Sequence, residues 1–271
     1  MSAPAPAPDY DGAAVVAALR ELGLRRGDIA FSHTSVGMLG RPAEGLTREA
    51  ITELFLDAFT EVVGPDGGWI LPTYTYSYTK DEIFDPAATP PPPHMGLLPG
   101  ELWQRPGFAR SLDPIFSAIG TGSAAHELLA AAGATDCFGP QSLYALLLER
   151  DAAMVNVGIG SHSALLHHVE QRLGVGYRFI KRFRGTTVVN GVAAETEVAY
   201  NVRALDDPRK VPYFMRLDRD GRESGLVHAV AVGRGEINLV RARDMARLAE
   251  EGLARDPEYL VRGDLADEAG G

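Results

Sequence analysis

The chain has a single cysteine, Cys137, and no long apolar run free of charged residues. One cysteine excludes an internal disulfide framework and a metal site built from several cysteines, so a reducing cytoplasm is the expected compartment. No apolar run approaches the roughly 20 residues that a transmembrane helix requires. The start, MSAPAPAPDY, has neither the basic nor the apolar region of a signal peptide. We therefore expect a cytoplasmic protein that does not contact membranes.

Positive charge is also scarce. The chain has 26 Lys and Arg against 36 Asp and Glu, for a formal net charge of -10 at pH 7. This balance argues against nucleic-acid binding, which requires a broad basic face. The exception is YRFIKRFRG, residues 177–185, which concentrates Arg178, Lys181, Arg182 and Arg184. This basic cluster predicts an anionic ligand, although pairing with the chain's own acids remains an alternative.

Composition and patterning predict an α/β protein with a mixed sheet flanked by helices. The chain has 271 residues with 45% hydrophobic and 23% charged residues, which suits one large core or two smaller ones. Helical and strand patterns alternate through most of the chain, and strand patterns then dominate. We predict one domain over residues 11–262, with flexible tails at 1–10 and 263–271.

Several elements have recognisable local signals. Thr47 is expected to cap the helix REAITELFLDAFTEVV, and Ser161 or Ser163 the helix that contains LLHHVE. A strand is expected to run through WILPTYTYSY with an interruption at Pro72. The dipeptide Asn190–Gly191 predicts a hairpin, whereas the basic cluster is expected to form a loop before it.

Two polar segments follow predicted strands. In AFSHTSVGMLG, residues 30–40, a strand leads into a glycine-containing loop that presents N–H groups and hydroxyls to a ligand. The alternative is a polar turn capped by its own hydroxyls. In LPTYTYSYT, residues 71–79, tyrosines and threonines collect at a strand end, where open α/β sheets bind ligands. A hairpin with aromatic cross-strand pairs is the alternative.

The segment VNVGIGSHSALLHHVE, residues 155–170, combines a strand, glycines and a helix. It lacks the third glycine and the following acid of a dinucleotide-binding motif. Its histidines, His162, His167 and His168, do not have the His-Glu-x-x-His spacing of a metal site, and we predict no metal. Helical periodicity leaves both His167 and His168 outside the apolar stripe, so it does not choose between them.

These stretches together resemble the aminoglycoside 3-N-acetyltransferase family. HTSVGMLG is similar to the family's HSSLSSLG, GGWILPTYTY to its GTLVMPTFTY, and LLHHVEQR to its LHLAEYR, and the matches keep their order from about residue 12 to 250. The resemblance implies the antibiotic N-acetyltransferase fold, distinct from the small common acetyltransferase fold. It also implies acetyl-CoA as donor and an amine as acceptor. The family's catalytic base aligns with His167.

On this basis we predict a site of three parts. For catalysis, we predict His167 as the base, with Glu170, Asp218 or Glu223 as its partner acid, and Thr73 or the backbone N–H groups of the HTSVGM loop as oxyanion donors. Coenzyme contacts are predicted for His33, Thr34, Ser35, Val36, Gly37, Met38, Arg110, Ser111 and Ser117. Acceptor contacts are predicted for Tyr74, Asp113, Arg178, Lys181 and Arg184.

The charge of the basic cluster bears on the identity of the acceptor. Aminoglycosides carry several positive charges, and the basic cluster beside His167 would repel them. We therefore predict a small anionic amine from biosynthesis, such as a phosphonate, a nucleotide-linked amine or an amino-sugar. An aminoglycoside resistance enzyme, a metal-dependent hydrolase and a non-catalytic coenzyme-binding protein are the alternatives, and the phosphates of coenzyme A are an alternative ligand for the basic cluster. The chain is expected to act alone or as a homodimer.

Overall fold

A seven-stranded mixed sheet forms the centre of the protein in the computed structural model, which describes residues 7–263. Its strands are β1 (Ile29–Thr34), β2 (Gly68–Pro72), β3 (Ala109–Arg110), β4 (Ala118–Thr121), β5 (Ala153–Val157), β8 (His228–Val232) and β9 (Gly235–Arg241). They lie in the order β3-β4-β2-β1-β5-β9-β8, with β1 parallel to β2 and β5 and all other pairs antiparallel. The predicted mixed sheet is confirmed.

Helices cover both faces of this sheet. They are α1 (Gly12–Glu21), α2 (Arg48–Val63), α3 (Leu97–Leu102), α4 (Ser123–Ala131), α5 (Leu143–Glu149), α6 (Leu165–Leu173), α7 (Met215–Glu223) and α8 (Ala242–Arg255). One apolar cluster contains α1, α2 and α3, and the other contains α4, α5, α6 and α8. Every residue of β5 is buried, as expected for a strand with helices on both faces. No helix within residues 7–263 is long and apolar enough to cross a membrane.

Thr47 caps α2 as predicted, because its Oγ1 accepts a hydrogen bond from the backbone N–H of Ala50 at 3.1 Å. We expect Thr47→Ala to lower the free energy of unfolding by about 1 kcal/mol, the usual value of such a cap. Urea unfolding measures this loss. Thr47→Ser keeps the hydroxyl and should retain most of the stability, and equal losses in both variants would contradict the capping role.

A two-stranded hairpin, β6 (Arg178–Val189) and β7 (Val192–Arg203), lies outside the main sheet. It turns at Asn190–Gly191 as predicted, with positive φ at both residues (52° and 78°), as a two-residue hairpin turn requires. The expected loop over the basic cluster is wrong, however. Residues 178–184 form the first half of β6 and pair with β7 along its length.

Three other local expectations need correction. β2 ends at Pro72, since proline has no N–H to continue a ladder. Ala164 is at the N-cap position of α6, so neither Ser161 nor Ser163 caps the helix as predicted, although Ser163 Oγ accepts a hydrogen bond from the N–H of Leu165. The predicted tail 1–10 is too long, because Tyr10 is 7% exposed and packs in the apolar cluster of α1 and α2. Residues 1–6 and 264–271 of the predicted tails lie outside the described residues.

Candidate active site

His167 lies in the first turn of α6, and its ring is held from behind by Glu170. The distance from His167 Nδ1 to Glu170 Oε2 is 2.6 Å. Glu170 is fully buried and has two further partners: the hydroxyl of Tyr177 donates to its Oε1 at 2.8 Å, and Arg178 Nε lies 2.6 Å from its Oε2. The side chain of His167 is 13% exposed. The imidazole is therefore anchored on one edge and accessible on the other.

The surroundings of Glu170 and His167 set the protonation states of both side chains. Burial raises the pKa of Glu170, but His167, Arg178 and Tyr177 outweigh burial and hold that pKa below its ordinary value. Burial, reinforced by the charge of Arg178, lowers the pKa of His167 despite the attraction of Glu170. At neutral pH the carboxylate is ionised and the imidazole is neutral. Nδ1–H then donates to Glu170, and Nε2 keeps a free lone pair.

His168 has a different environment, which resolves the ambiguity that helical spacing left. Its Nδ1 lies 2.7 Å from the backbone carbonyl of Phe138, and the residue is 7% exposed. It therefore ties α6 to the segment before α5. Within residues 7–263 no group of three or more His, Cys, Asp or Glu side chains is arranged to hold a metal ion.

The accessible edge of His167 lines a cleft of about 800 Å³ beside the β6–β7 hairpin. Most of the cleft wall is apolar or aromatic: Tyr76, Phe116, Phe179, Phe183, Tyr200, Val202, Leu205 and Pro212. Its charged residues are the cations Arg178, Lys181 and Arg203 and one acid, Asp206. Because Glu170 balances Arg178, the remaining charges make the cleft positive overall.

The three cations differ in how much hydrogen-bonding capacity they have left. Arg178 donates from Nη1 to the carbonyl of Asn201 at 3.0 Å, while its Nη2 is buried without a hydrogen-bond partner in the described chain. The Nζ of Lys181 lies 4.8 Å from the centre of the Phe183 ring. Within residues 7–263 no carboxylate forms an ion pair with Lys181 or Arg203. Lys181 and Arg203 thus line the cleft without a carboxylate partner in the described residues, whereas the guanidinium of Arg178 is almost fully buried.

The other two arginines of the basic cluster lie outside the cleft. Arg182 Nη1 and Arg184 Nε bond to the carboxylate of Glu197 on β7, at 3.1 and 2.8 Å. The side chain of Arg184 is 86% exposed. Arg184, which was predicted to contact the acceptor, therefore does not line the cleft beside His167, because strand alternation directs it to the other face and its charge is paired across the hairpin.

Tyr74 and Asp113, also predicted to contact the acceptor, are buried parts of the framework. Tyr74 accepts a hydrogen bond from the hydroxyl of Tyr144 at 2.8 Å. Asp113 Oδ1 accepts from the N–H groups of Ile115 and Phe116 at 2.8 and 2.9 Å. Neither residue lines the cleft. The contribution of Asp113 is indirect, because the turn that it caps positions the ring of Phe116 in the cleft wall.

The loop predicted to bind coenzyme, residues 33–38, lies at the carboxyl end of β1 beside the glycine loop after β5. Thr34 pairs with Val157 in the parallel ladder. Gly158 has φ of +68°, and a Cβ there would lie 2.5 Å from the carbonyl oxygen of Ser35. Only glycine allows this approach. The sheet thus brings together two loops at an edge where open α/β sheets bind ligands.

The remaining predicted contacts form a buried network. The hydroxyls of Thr73 and Ser117 lie 3.0 Å apart and both residues are fully buried. Arg110 donates to Ser117 Oγ at 3.1 Å and also bonds the carbonyl of Thr89, while Ser111 Oγ accepts from a backbone N–H of β4. These residues hold the proline-rich segment against the sheet. The hydroxyl of Thr73 is enclosed, so it does not face a reacting group as predicted.

Sequence reasoning missed the roles of Tyr177, Arg203 and Phe214. Arg203 is directly opposite Arg178 in the hairpin ladder, and extending the Asn190–Gly191 pairing outward would have located it. The ring of Phe214 lies 5.1 Å from the ring of His162 and 5.9 Å from that of His167. No local sequence signal indicates that contact, because Phe214 precedes α7, far along the chain.

Comparisons with known proteins agree on one family. A family model described as aminoglycoside 3-N-acetyltransferase matches residues 32–254. Aminoglycoside N(3)-acetyltransferase IV from a Salmonella species is 27% identical over 251 residues, covering 92% of this chain and 89% of the relative. Aminoglycoside N(3)-acetyltransferase VII from Streptomyces paromomycinus is 28% identical over 269 residues, covering 88% and 91%. The solved structure of AAC-IIIb with CoASH is similar at a TM-score of 0.76 and 22% identity, covering 90% of this chain and 96% of that one.

Proposed function

This chain belongs to the aminoglycoside 3-N-acetyltransferase family, and on that premise we propose that it acetylates a small anionic amine with His167 as the general base. Family membership makes it an N-acetyltransferase, an acyltransferase that uses acetyl-CoA. The observation that supports His167 is its hydrogen bond to the buried Glu170, which leaves the other ring edge open to the cleft.

The reaction requires a base because an ammonium ion has no lone pair with which to attack a thioester. A simple alkylamine has a pKa near 10.4, so roughly one molecule in a few thousand is free base at pH 7. The amine nitrogen attacks the thioester carbonyl carbon and loses its proton to Nε2 of His167. The C–S bond then breaks, and the thiolate takes the proton to give coenzyme A and the amide. Glu170 holds the required tautomer and stabilises the imidazolium.

Direct transfer from acetyl-CoA to the amine fits the openings around His167. The cleft of about 800 Å³ gives the acceptor access to His167. A second cavity of about 240 Å³ is lined by Gly160, Ser161, His162 and Phe214 and shares Pro212 with the cleft. It lies beside the loops that we assign to the coenzyme. Acceptor and thioester therefore approach from two sides and meet in a ternary complex.

The anionic character of the acceptor rests on the charges in the cleft. Lys181 and Arg203 present donors suited to a phosphonate, phosphate or carboxylate, and the buried guanidinium of Arg178 adds positive charge beside them. Two like charges about 4 Å apart cost roughly 4 kcal/mol at an effective dielectric constant of 20, before screening. A polycationic acceptor would meet this repulsion, with only Asp206 to offset it.

An aminoglycoside acceptor is the second candidate. The curated relatives are aminoglycoside N(3)-acetyltransferases, and one structure with a similar fold is of AAC(3)-IVa in complex with apramycin. The observation in this chain that favours it is Asp206, an exposed carboxylate in the cleft wall. A resistance role follows from that candidate, whereas a biosynthetic role follows from the anionic one.

Neutralising the cleft cations distinguishes the two candidates. We expect the double variant Lys181→Gln/Arg203→Gln to raise the KM for an anionic acceptor about tenfold with little change in kcat, because the lost contacts are the same in ground and transition states. The matched control is Arg182→Gln/Arg184→Gln, which removes the same charge from the outer face of the hairpin. Equal effects of the two double variants would contradict a specific role for the cleft cations.

The pH dependence tests the state of His167. Because its pKa is lowered by burial, we expect the acid limb of kcat/KM to lie below the ordinary histidine value of about 6.5. The lowered pKa values of His167 and Glu170 also mean that the unfolded chain binds more protons than the folded one as the pH falls. Stability is therefore lost toward acid pH, and thermal unfolding at each pH must accompany the kinetics. An acid limb above 6.5 in folded protein would contradict this account.

A further inference from the structure

His162 lies near His167, but it has no role so far in the proposed proton transfer or in the packing of the fold. It belongs to the glycine loop after β5, and its backbone N–H donates to Asn156 Oδ1 at 3.3 Å. His162 is an exposed residue, and neither of its ring nitrogens has a hydrogen-bond partner within residues 7–263. The imidazole lines the smaller cavity beside Gly160 and Phe214. Its ring nitrogens are thus free to bind a ligand there.

His33 supports this ring from below. The two imidazoles lie edge to face, with centroids 4.9 Å apart and an interplanar angle of 89°. His33 is 8% exposed, and its Nε2 is buried without a hydrogen-bond partner in the described chain. A buried imidazole nitrogen without a partner is costly. We expect a polar group of a bound ligand to reach this pair of imidazoles and offset that cost.

The ring of Phe214 connects the two histidines, since it contacts both His162 and His167. His167 opens to the acceptor cleft, whereas His162 opens to the smaller cavity beside the coenzyme loops. The thioester carbonyl must lie between these two openings for the amine to reach it. A donor on the His162 side is therefore on the face of the carbonyl group away from the base.

Amide formation needs such a donor. Attack on the thioester carbon places negative charge on its oxygen, and a preorganised hydrogen-bond donor stabilises that charge. The hydroxyl of Thr73 is enclosed by Ser117 and cannot serve. Desolvation by the surrounding protein and the nearby His167 lower the pKa of His162. The ring is therefore neutral at pH 7, with one nitrogen that donates.

We propose that the imidazole N–H of His162 donates a hydrogen bond to the thioester carbonyl oxygen of bound acetyl-CoA and stabilises the oxyanion during attack. His33 acts through His162 as a positioning residue. This inference rests on the proposed function. It adds no proton transfer: the amine proton still goes to His167 and then to the departing thiolate, and His162 keeps its own proton throughout.

The carbonyl stretch of acetyl-CoA labelled with ¹³C at the thioester carbon reports this hydrogen bond directly. We expect the stretch to move to lower wavenumber when labelled acetyl-CoA binds the wild type without acceptor, and the shift to disappear in His162→Ala. In His162→Gln, an amide N–H replaces the ring N–H, so part of the shift should remain. We also expect His162→Ala to lower kcat about 10²- to 10³-fold, with the Kd for coenzyme A within about twofold.

His228→Gln is the matched control, because His228 is exposed on the edge strand β8. It should leave both the stretch and kcat unchanged. An unshifted carbonyl in wild type that binds acetyl-CoA overturns the role of His162 alone, as does a shift that persists in His162→Ala. Failure of the folded wild type to bind acetyl-CoA overturns the proposed function itself. Thermal unfolding of each variant separates loss of the donor from loss of the fold.

Discussion

His167→Ala should lower kcat for acetyl transfer by about 10²- to 10⁴-fold, the usual contribution of a positioned general base. The residue meets three requirements at once: a buried carboxylate 2.6 Å from Nδ1, a neutral ring at pH 7, and an edge open to the cleft. The Kd for acetyl-CoA should change by no more than about twofold, because the coenzyme loops are at the ends of β1 and β5. Steady-state thiol release and calorimetric binding measure the two quantities.

The neighbouring histidine provides the control for this variant. His168→Asn keeps a donor near the position of Nδ1, which bonds the carbonyl of Phe138. We expect it to retain kcat within about threefold, since His168 faces the framework. If the two variants lost equal activity, the effect would be due to disruption of α6 and not to loss of a base. Near-normal turnover in His167→Ala would remove His167 from the mechanism.

Glu170→Gln should reduce both stability and activity. Arg178 is 2% exposed at its side chain and has its ion pair with Glu170 at 2.6 Å. Removing the carboxylate leaves a buried guanidinium without a counter-charge, and breaking such a pair typically costs about 3–5 kcal/mol. The amide can also donate to Nδ1, which would place the ring proton on Nε2 and block it as a base. We expect kcat to fall by about 10⁴-fold, the loss that a wrong histidine tautomer causes in a serine-protease triad.

A double variant separates these two effects. Glu170→Gln/Arg178→Met removes the unpaired charge as well, so it should recover part of the free energy of unfolding measured in urea. It should not recover activity, because the glutamine amide can still donate to Nδ1 and leave the ring proton on Nε2. If Glu170→Gln unfolds at the wild-type urea concentration, the buried ion pair does not have the energetic role assigned to it.

The resemblance to a family supplied the choice of His167, and physical pattern alone did not. Both adjacent histidines lie outside the apolar stripe of α6, and local sequence contains nothing that separates them. Tertiary contacts distinguish them. His168 bonds the carbonyl of Phe138, whereas His167 bonds Glu170, which is in turn paired with Arg178 of β6. The contact of His168 with Phe138 spans 30 residues, and the turn that brings Arg178 back onto Glu170 has no signature in a single sequence.

The predicted role of the basic cluster depended on whether it forms a loop or a strand. As a loop, its four cations would all be available to one ligand. As a strand, they alternate: Arg182 and Arg184 share one face with Glu197 opposite, while Lys181 lies with Phe179 and Phe183 in the cleft wall. The hairpin signal at Asn190–Gly191 was present in the sequence. Extending it outward along both strands predicts that Lys181 is separated from Arg182 and Arg184, and that Arg203 pairs with Arg178. Strict alternation would also place Arg178 and Arg203 on the face of Arg182 and Arg184, whereas both line the cleft.

The burial of Thr73, Ser111 and Ser117 could not be predicted from the sequence for another reason. Hydroxyl groups that follow a strand are compatible with a ligand site or with a buried network. Only the pairing of β2 with β4 decides between the two. That antiparallel pairing encloses Thr73 and Ser117 and directs Arg110 to the proline-rich segment. The place of the loop after β1 was easier to predict, because the parallel pairing of β1 with β5 places both strand ends at one edge, and its contact with coenzyme stays a prediction.

Free thiol release from acetyl-CoA, followed with two sets of amines, tests the central claim most directly. One set holds 2-aminoethylphosphonate, glucosamine 6-phosphate and a nucleotide-linked amino-sugar, and the other holds gentamicin and apramycin. The account predicts turnover with a member of the anionic set by the wild type, and its loss in His167→Ala. Turnover with the aminoglycosides alone would contradict the anionic acceptor, and equal turnover by His167→Ala would contradict the mechanism.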